Sequence, residues 1–210
     1  MRDSLVFVGG CATGLLVTSV RAQPIRMTKD VDVVTQTATA QEYHAMEGSL
    51  RKLGFANDMT AGAPICRWIY RGMQLDLMPS SMGVLGFHNR WYPHAIESAQ
   101  SMALPSGLSI RLISAPVFVA TKLEAFKGRG DGDYLLSHDL EDITTVVDGR
   151  ASLLEEIVAS PASLRRYLAG EVHALLATNA FLDALPGRAL SMGTLGAPAC
   201  DGQVAARLVQ

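Results

Sequence analysis

Asp30 and Asp32, in Thr28-Lys29-Asp30-Val31-Asp32-Val33-Val34, are the residues of this chain whose types and spacing most directly suggest chemistry. The β-branched run around them predicts a strand, on which positions i and i+2 share a face with Cα atoms about 6–7 Å apart. Two carboxylates so placed can converge on a magnesium pair, whose ions sit about 3.5–4 Å apart. A third carboxylate, Asp76, lies in a second apolar strand pattern, Met73-Gln74-Leu75-Asp76-Leu77-Met78. Upstream, Gly9-Gly10 ends the apolar run Leu5–Val8, where backbone N–H groups at a helix start can approach phosphates without a Cβ in the way. An Asp-x-Asp pair alone recurs by chance as a solvated strand edge or turn. Flanked by Val31, Val33 and Val34, however, ionised carboxylates are costly unless paired or metal-bound. The set points to nucleotidyl transfer, which needs a triphosphate neutralised and a hydroxyl brought in line and deprotonated.

The elements that position these groups follow from the pattern. Leu5–Val8 and Asp30–Val34 read as strands, and a helix is expected from Cys11 to about Val20. Ala40–Leu53 has helical spacing through Tyr43, Met46, Leu50 and Leu53, with Gly54 as a stop. Ile65–Tyr70 and Met73–Met78 flank Arg71-Gly72 as a β-hairpin. Residues 79–100 read as loops with one short helix, and Ile110–Ile113 as a further strand. Beyond Ala115 the pattern is helical, over Val117–Phe126, Leu135–Val147, Leu153–Val158 and Ala162–Leu176. The tail after Pro186 is rich in Gly, Ala and Pro and predicts loose order. The expected fold class is α/β (α+β): a small mixed sheet flanked by helices in residues 1–114, then a helical lobe in 115–210.

Composition removes other classes. No apolar run reaches the ~18–20 residues of a membrane span, and the N-terminal run, broken by Gly9-Gly10, lacks a small-x-small cleavage site. Cys11, Cys66 and Cys200 show no ligand spacing, so the thiols read as structural in a reduced, cytoplasmic protein. Five histidines show no triad or metal spacing, and there is no Gly-x-Ser-x-Gly elbow or P-loop lysine motif. Net charge is −2, with 12 Lys and Arg against 9 Asp and Glu in residues 1–127 and 6 against 11 in 128–210. The positive bias of the first part suits a polyphosphate ligand and falls far short of a polynucleotide-binding signature.

The segments "FVGGCATGLL", "RMTKDVDVV" and "MQLDLMP" together resemble the polymerase-β-type nucleotidyltransferase superfamily. "LISAPVFVATKLEAFKGRGDGDYLLSHDLEDI" is similar to the corresponding region of its AbiEii/AbiGii toxin-like branch, so that the resemblance covers residues 5–150. It implies that Gly9 and Gly10 form a phosphate loop, that Asp30 and Asp32 ligate magnesium, and that Asp76 is the third carboxylate; on its neighbouring strand Asp76 is placed to complete the metal site and to act as, or orient, the base. Arg26 and Thr28 match the branch's preface to the acidic pair. Lys122 matches a lysine expected on the nucleotide phosphates, and Asp139 and Asp142 match its paired aspartates, one turn apart on a helix. Lys127, beside the loop Gly128–Asp133, is a further candidate phosphate contact. Gly10 stands where the superfamily often has Ser, which removes a hydroxyl contact. The chain also begins almost at its first strand, which fits either a truncated start or a minimal member completed by a partner.

Without the resemblance, Lys122 reads as a surface lysine snorkelling beside an apolar face, and Asp139 and Asp142 as solubilising charge. Trp68, Tyr70, Trp91 and Tyr92 read as core before base-stacking platforms. Three functions follow. The first is magnesium-dependent transfer of a nucleoside monophosphate from a triphosphate to a macromolecular acceptor. For this branch the resemblance implies a tRNA acceptor and a toxin restrained by a cognate antitoxin. The second is adenylyl transfer to a small hydroxylated molecule such as an aminoglycoside. The third is a degenerate, non-catalytic binding protein.

Overall fold

The computed structural model describes residues 4–19, 26–37, 39–86, 88–129 and 132–191. They belong to two compact units: residues 4–12 with Thr28–Ser114, and Thr13–Met27 with the residues from Ala115 onward. The first unit is built on strands β1 (Leu5–Val8), β2 (Asp30–Thr35), β3 (Ala56–Asn57), β4 (Arg67–Tyr70), β5 (Met73–Pro79), β6 (Gln100–Ala103) and β7 (Ser109–Leu112). Its helices are α2 (Ala40–Lys52), α3 (Met82–Leu85) and α4 (Tyr92–Glu97), and α1 (Gly9–Leu16) starts in it directly after β1. The second unit holds α5 (Ala115–Arg129), α6 (His138–Gly149), α7 (Leu153–Ala159), α8 (Ala162–Leu176) and α9 (Asn179–Ser191). The fold is thus mixed α/β, with a seven-stranded sheet in the order β3-β4-β5-β2-β1-β7-β6 flanked by helices.

The sheet is mixed: β2 runs parallel to β5 and β1 parallel to β7, and the other neighbours are antiparallel. Strand β1 is buried along its whole length, as a central strand covered on both faces should be. In β5, Leu75 and Leu77 are fully buried on either side of Asp76 in the chain. Helix α2 starts with a reciprocal capping box between Thr39 and Glu42. It is tied to the sheet by the Tyr43 hydroxyl, which donates to the Leu77 carbonyl at 2.8 Å. Burial raises the pKa of that phenol well above its ordinary value, so it stays a donor.

Several boundaries depart from the sequence reading. Helix α1 begins two residues before Cys11 and ends at Leu16. Helix α6 begins at His138 rather than Leu135, because the Asp133 carboxylate accepts from the backbone N–H groups of Leu135 and Leu136 and Ser137 supplies the cap. Strands β3 and β6 are additional. Thr13–Met27, placed by sequence in the first lobe, groups with the second unit for visible reasons. The Thr18 and Ser19 N–H groups donate to the Gly149 carbonyl at 2.9 Å, and Arg150 donates to the Leu16 carbonyl at 2.8 Å. Helix α9 continues through Pro186 to Ser191, and the rest of the tail, with Cys200, lies outside the described residues. Among the described residues no helix is long and apolar enough to cross a membrane.

Candidate active site

Register brings the carboxylates together. In the parallel β2–β5 pair Asp32 stands opposite Asp76, in the β4–β5 hairpin Arg67 stands opposite Asp76, and in β1–β2 Val8 stands opposite Asp32. One row across the sheet therefore reads Arg67, Asp76, Asp32, Val8, with Gly9 the next residue after Val8. Asp30 lies two residues before Asp32 and shares its face. Carboxylate oxygens of Asp30, Asp32 and Asp76 all lie within 4.8 Å of one another. Asp76 is buried while Asp30 and Asp32 are half-buried.

Arg67 is the residue that the sequence reading missed. Its Nε donates to Asp76 Oδ1 at 2.8 Å and its Nη2 to Asp76 Oδ2 at 2.7 Å, a bidentate fork. The same Nη2 reaches Asp30 Oδ2 at 3.3 Å. The signal was in the hairpin: a two-residue turn at Arg71 (φ 49) and Gly72 (φ 82) pairs Tyr70 with Met73 and so carries Arg67 opposite Asp76. Beside it, the buried Cys66 thiol is pushed up to about 12, first by burial and then by the Asp76 charge, so it is an inert, protonated side chain.

Gly9 has a positive φ of 64°, and a Cβ there would collide with the Oδ2, Cγ and Cβ atoms of Asp32. A glycine is needed for both reasons: the left-handed backbone and the room that the Asp32 carboxylate occupies. Gly10 is buried in the first turn of α1, where helical N–H groups have no intrahelical acceptor. Thr28 donates to the backbone carbonyl of Asp30 at 3.2 Å, fixing the entry to β2. Gly9→Ala is expected to cost about 1–2 kcal/mol from the left-handed backbone alone, and more from displacing Asp32. A thermal melt together with a Mn²⁺ titration checks this, and an unchanged cation affinity would contradict the role given to Gly9.

The remaining candidates lie in the second unit. Lys122 is not a surface lysine: it is 6% exposed, and its ammonium pairs with Asp142 at 2.6 Å and Asp139 at 3.1 Å. Both aspartates are buried. Arg129 donates to both oxygens of Asp139, at 3.0 and 3.1 Å, and Arg26 pairs with Glu141 at 3.5 Å and Asp142 at 3.6 Å. Burial drives the Asp139 carboxyl pKa up, yet the Arg129 hydrogen bonds and the Lys122 charge outweigh it and hold the group below the usual carboxylate value. Lys127 is half-exposed and pairs with Glu171 at 2.6 Å, and its ammonium lies 5.7 Å from the centre of the Tyr167 ring. Trp68 and Trp91 are buried in the first unit, as core residues.

The three carboxylates offer only hard oxygen donors, the ligand type of magnesium, and a cationic guanidinium already lies against two of them. The residues present therefore fit a divalent cation. Against known proteins, no family model and no curated protein matches the chain. Two solved structures of ANT(2'')-Ia are similar to it. One is the solution structure of this antibiotic-resistance factor, with 17% identity, coverage of 81% of this chain and 87% of that one, and a TM-score of 0.44. The other is its crystal structure in complex with adenylyl-2''-tobramycin, with 13% identity, coverage of 81% and 88%, and a TM-score of 0.46.

Proposed function

We propose that this protein is a divalent-cation-dependent nucleotidyltransferase, transferring a nucleoside monophosphate from a triphosphate to a hydroxyl acceptor. The observation that carries the reading is the row of carboxylates on β2 and β5 beside the glycine at the start of α1. Asp30 and Asp32 would hold magnesium, which when bound supplies charge neutralisation of the triphosphate. The N–H groups of Gly10 and of the turn after it face the direction from which an anion is attracted by the α1 dipole. Asp76 anchors Arg67 through the bidentate pair. The phosphate contact that the resemblance implies for Lys122, nucleotide-binding roles for Arg26 and Thr28, the candidate phosphate contact of Lys127 and the site roles of Asp139 and Asp142 are part of the proposal and are tested by nucleotide affinity.

For the acceptor we adopt a small, cationic, hydroxylated molecule of the aminoglycoside kind ahead of tRNA. Polynucleotide binding is driven by Lys and Arg neutralising phosphates, whereas this chain has a net charge of −2 and an acidic second part. An acidic protein instead attracts a polycation. Transfer to tRNA, with control by an antitoxin, is the second reading and rests on the sequence resemblance alone. Incubation with each labelled triphosphate and magnesium, offered tobramycin or total tRNA in separate reactions with Asp30→Ala as control, decides. Label on the aminoglycoside is the expected result. Label on tRNA replaces the acceptor, and the absence of magnesium-dependent label on either would overturn the enzymatic reading in favour of a binding protein.

A further inference from the structure

Arg67 lies inside the carboxylate cluster, and the reading of that cluster as a cation site leaves its presence unexplained. Its fork takes one lone pair from each oxygen of Asp76, at 2.8 and 2.7 Å, whereas the contact to Asp30 is single and longer, at 3.3 Å. The guanidinium side chain is 18% exposed and that of Asp76 10%, so water screens the pair only in part. Three carboxylates and one guanidinium carry a formal net charge of −2 before any nucleotide binds. A second cation bonded to Asp76 would lie beside a fixed positive charge in a partly screened place, where like charges repel.

We propose that Arg67 takes the place of one of the two metal ions, so that the site holds a single divalent cation on Asp30 and Asp32 while Asp76 serves as the anchor of Arg67 rather than as a metal ligand or base. The inference rests on the cation reading above and goes beyond it. The longer Arg67–Asp30 contact is the one that yields when the cation arrives, and the bidentate pair with Asp76 persists. Arg67 is then a positioning residue: it sets the charge and the shape of the cluster. A guanidinium cannot be removed from the site by chelators, so sensitivity to chelation should reflect loss of one ion only.

The test counts Mn²⁺ retained by the full chain in equilibrium dialysis with saturating α,β-methylene-ATP, a non-hydrolysable probe. Wild type should retain one Mn²⁺ per chain, Arg67→Lys one, and Arg67→Gln, which keeps a hydrogen-bonding side chain but no charge, two. Two ions on wild type, two on Arg67→Lys, or one on a folded Arg67→Gln would overturn the inference. Should Arg67→Gln fail to fold by circular dichroism, the wild-type and Arg67→Lys counts decide alone. No Mn²⁺ on wild type, or a count of one that survives Asp32→Asn, would instead overturn the cation reading itself, so the two failures are distinct.

Discussion

Asp32→Asn will lower magnesium-dependent transfer at least about 10³-fold, because a ligand carrying negative charge is exchanged for a neutral amide where several kcal/mol of charge stabilisation is at stake. The substitution is nearly isosteric, and the room that Gly9 leaves for the side chain is unchanged. Removing one of three clustered carboxylates also relieves like-charge repulsion, so the thermal midpoint should hold or rise by a few degrees. Initial rates over a range of magnesium concentrations, with melts of both proteins, check this. Turnover near wild type would remove Asp32 from the site, and a collapsed melt would make the lost activity uninformative.

Lys122→Ala will be the most destabilising of the single substitutions considered. It leaves Asp139 and Asp142 buried without the ammonium that pairs with both. Breaking a buried pair by removing one partner costs about 3–5 kcal/mol, a large share of a domain's total stability of roughly 5–15 kcal/mol. Arg129 retains its hold on Asp139 and Arg26 its longer pair with Asp142, which keeps the expected loss within that range rather than above it. Urea unfolding measures it, and a change under 1 kcal/mol would show that the pairs are not formed in solution. A pH dependence accompanies it. The Asp139 pKa is lowered in the folded state, so its contribution is fully present above the ordinary carboxylate value and is lost as pH falls through the lower folded one. Wild type should therefore lose stability in acid below about pH 4, and Asp139→Asn, already weaker at neutral pH, should lose less over the same interval. Nucleotide affinity for Lys122→Ala is meaningful only under conditions where the variant is folded.

The parts of the fold that were readable without coordinates are those where period and chemistry coincide. Strand β2 could be read because Val31, Val33 and Val34 set the alternation that makes Asp30 and Asp32 conspicuous, and α8 because its apolar positions repeat over Ala162–Leu176. Strand β6 was not readable: Gln100-Ser101-Met102-Ala103 has neither alternation nor β-branching and becomes a strand only by pairing with β7. The start of α5 was hidden by Pro116, which the first turn of a helix tolerates. The resemblance reached Lys122, Asp139 and Asp142, with the aspartates orienting the lysine, whereas their burial depends on packing within the second unit that no local pattern encodes. Arg67 is the instructive omission. Its position opposite Asp76 follows from counting back along both strands from Arg71-Gly72, a register argument available before any coordinates.

Crystals soaked in Mn²⁺ with α,β-methylene-ATP and measured for anomalous scattering test the central claim most directly. The account predicts a peak bonded to carboxylate oxygens of both Asp30 and Asp32, in the face of the sheet beside Gly9. A map with no anomalous density at those two aspartates, in crystals where the nucleotide is bound, would contradict it.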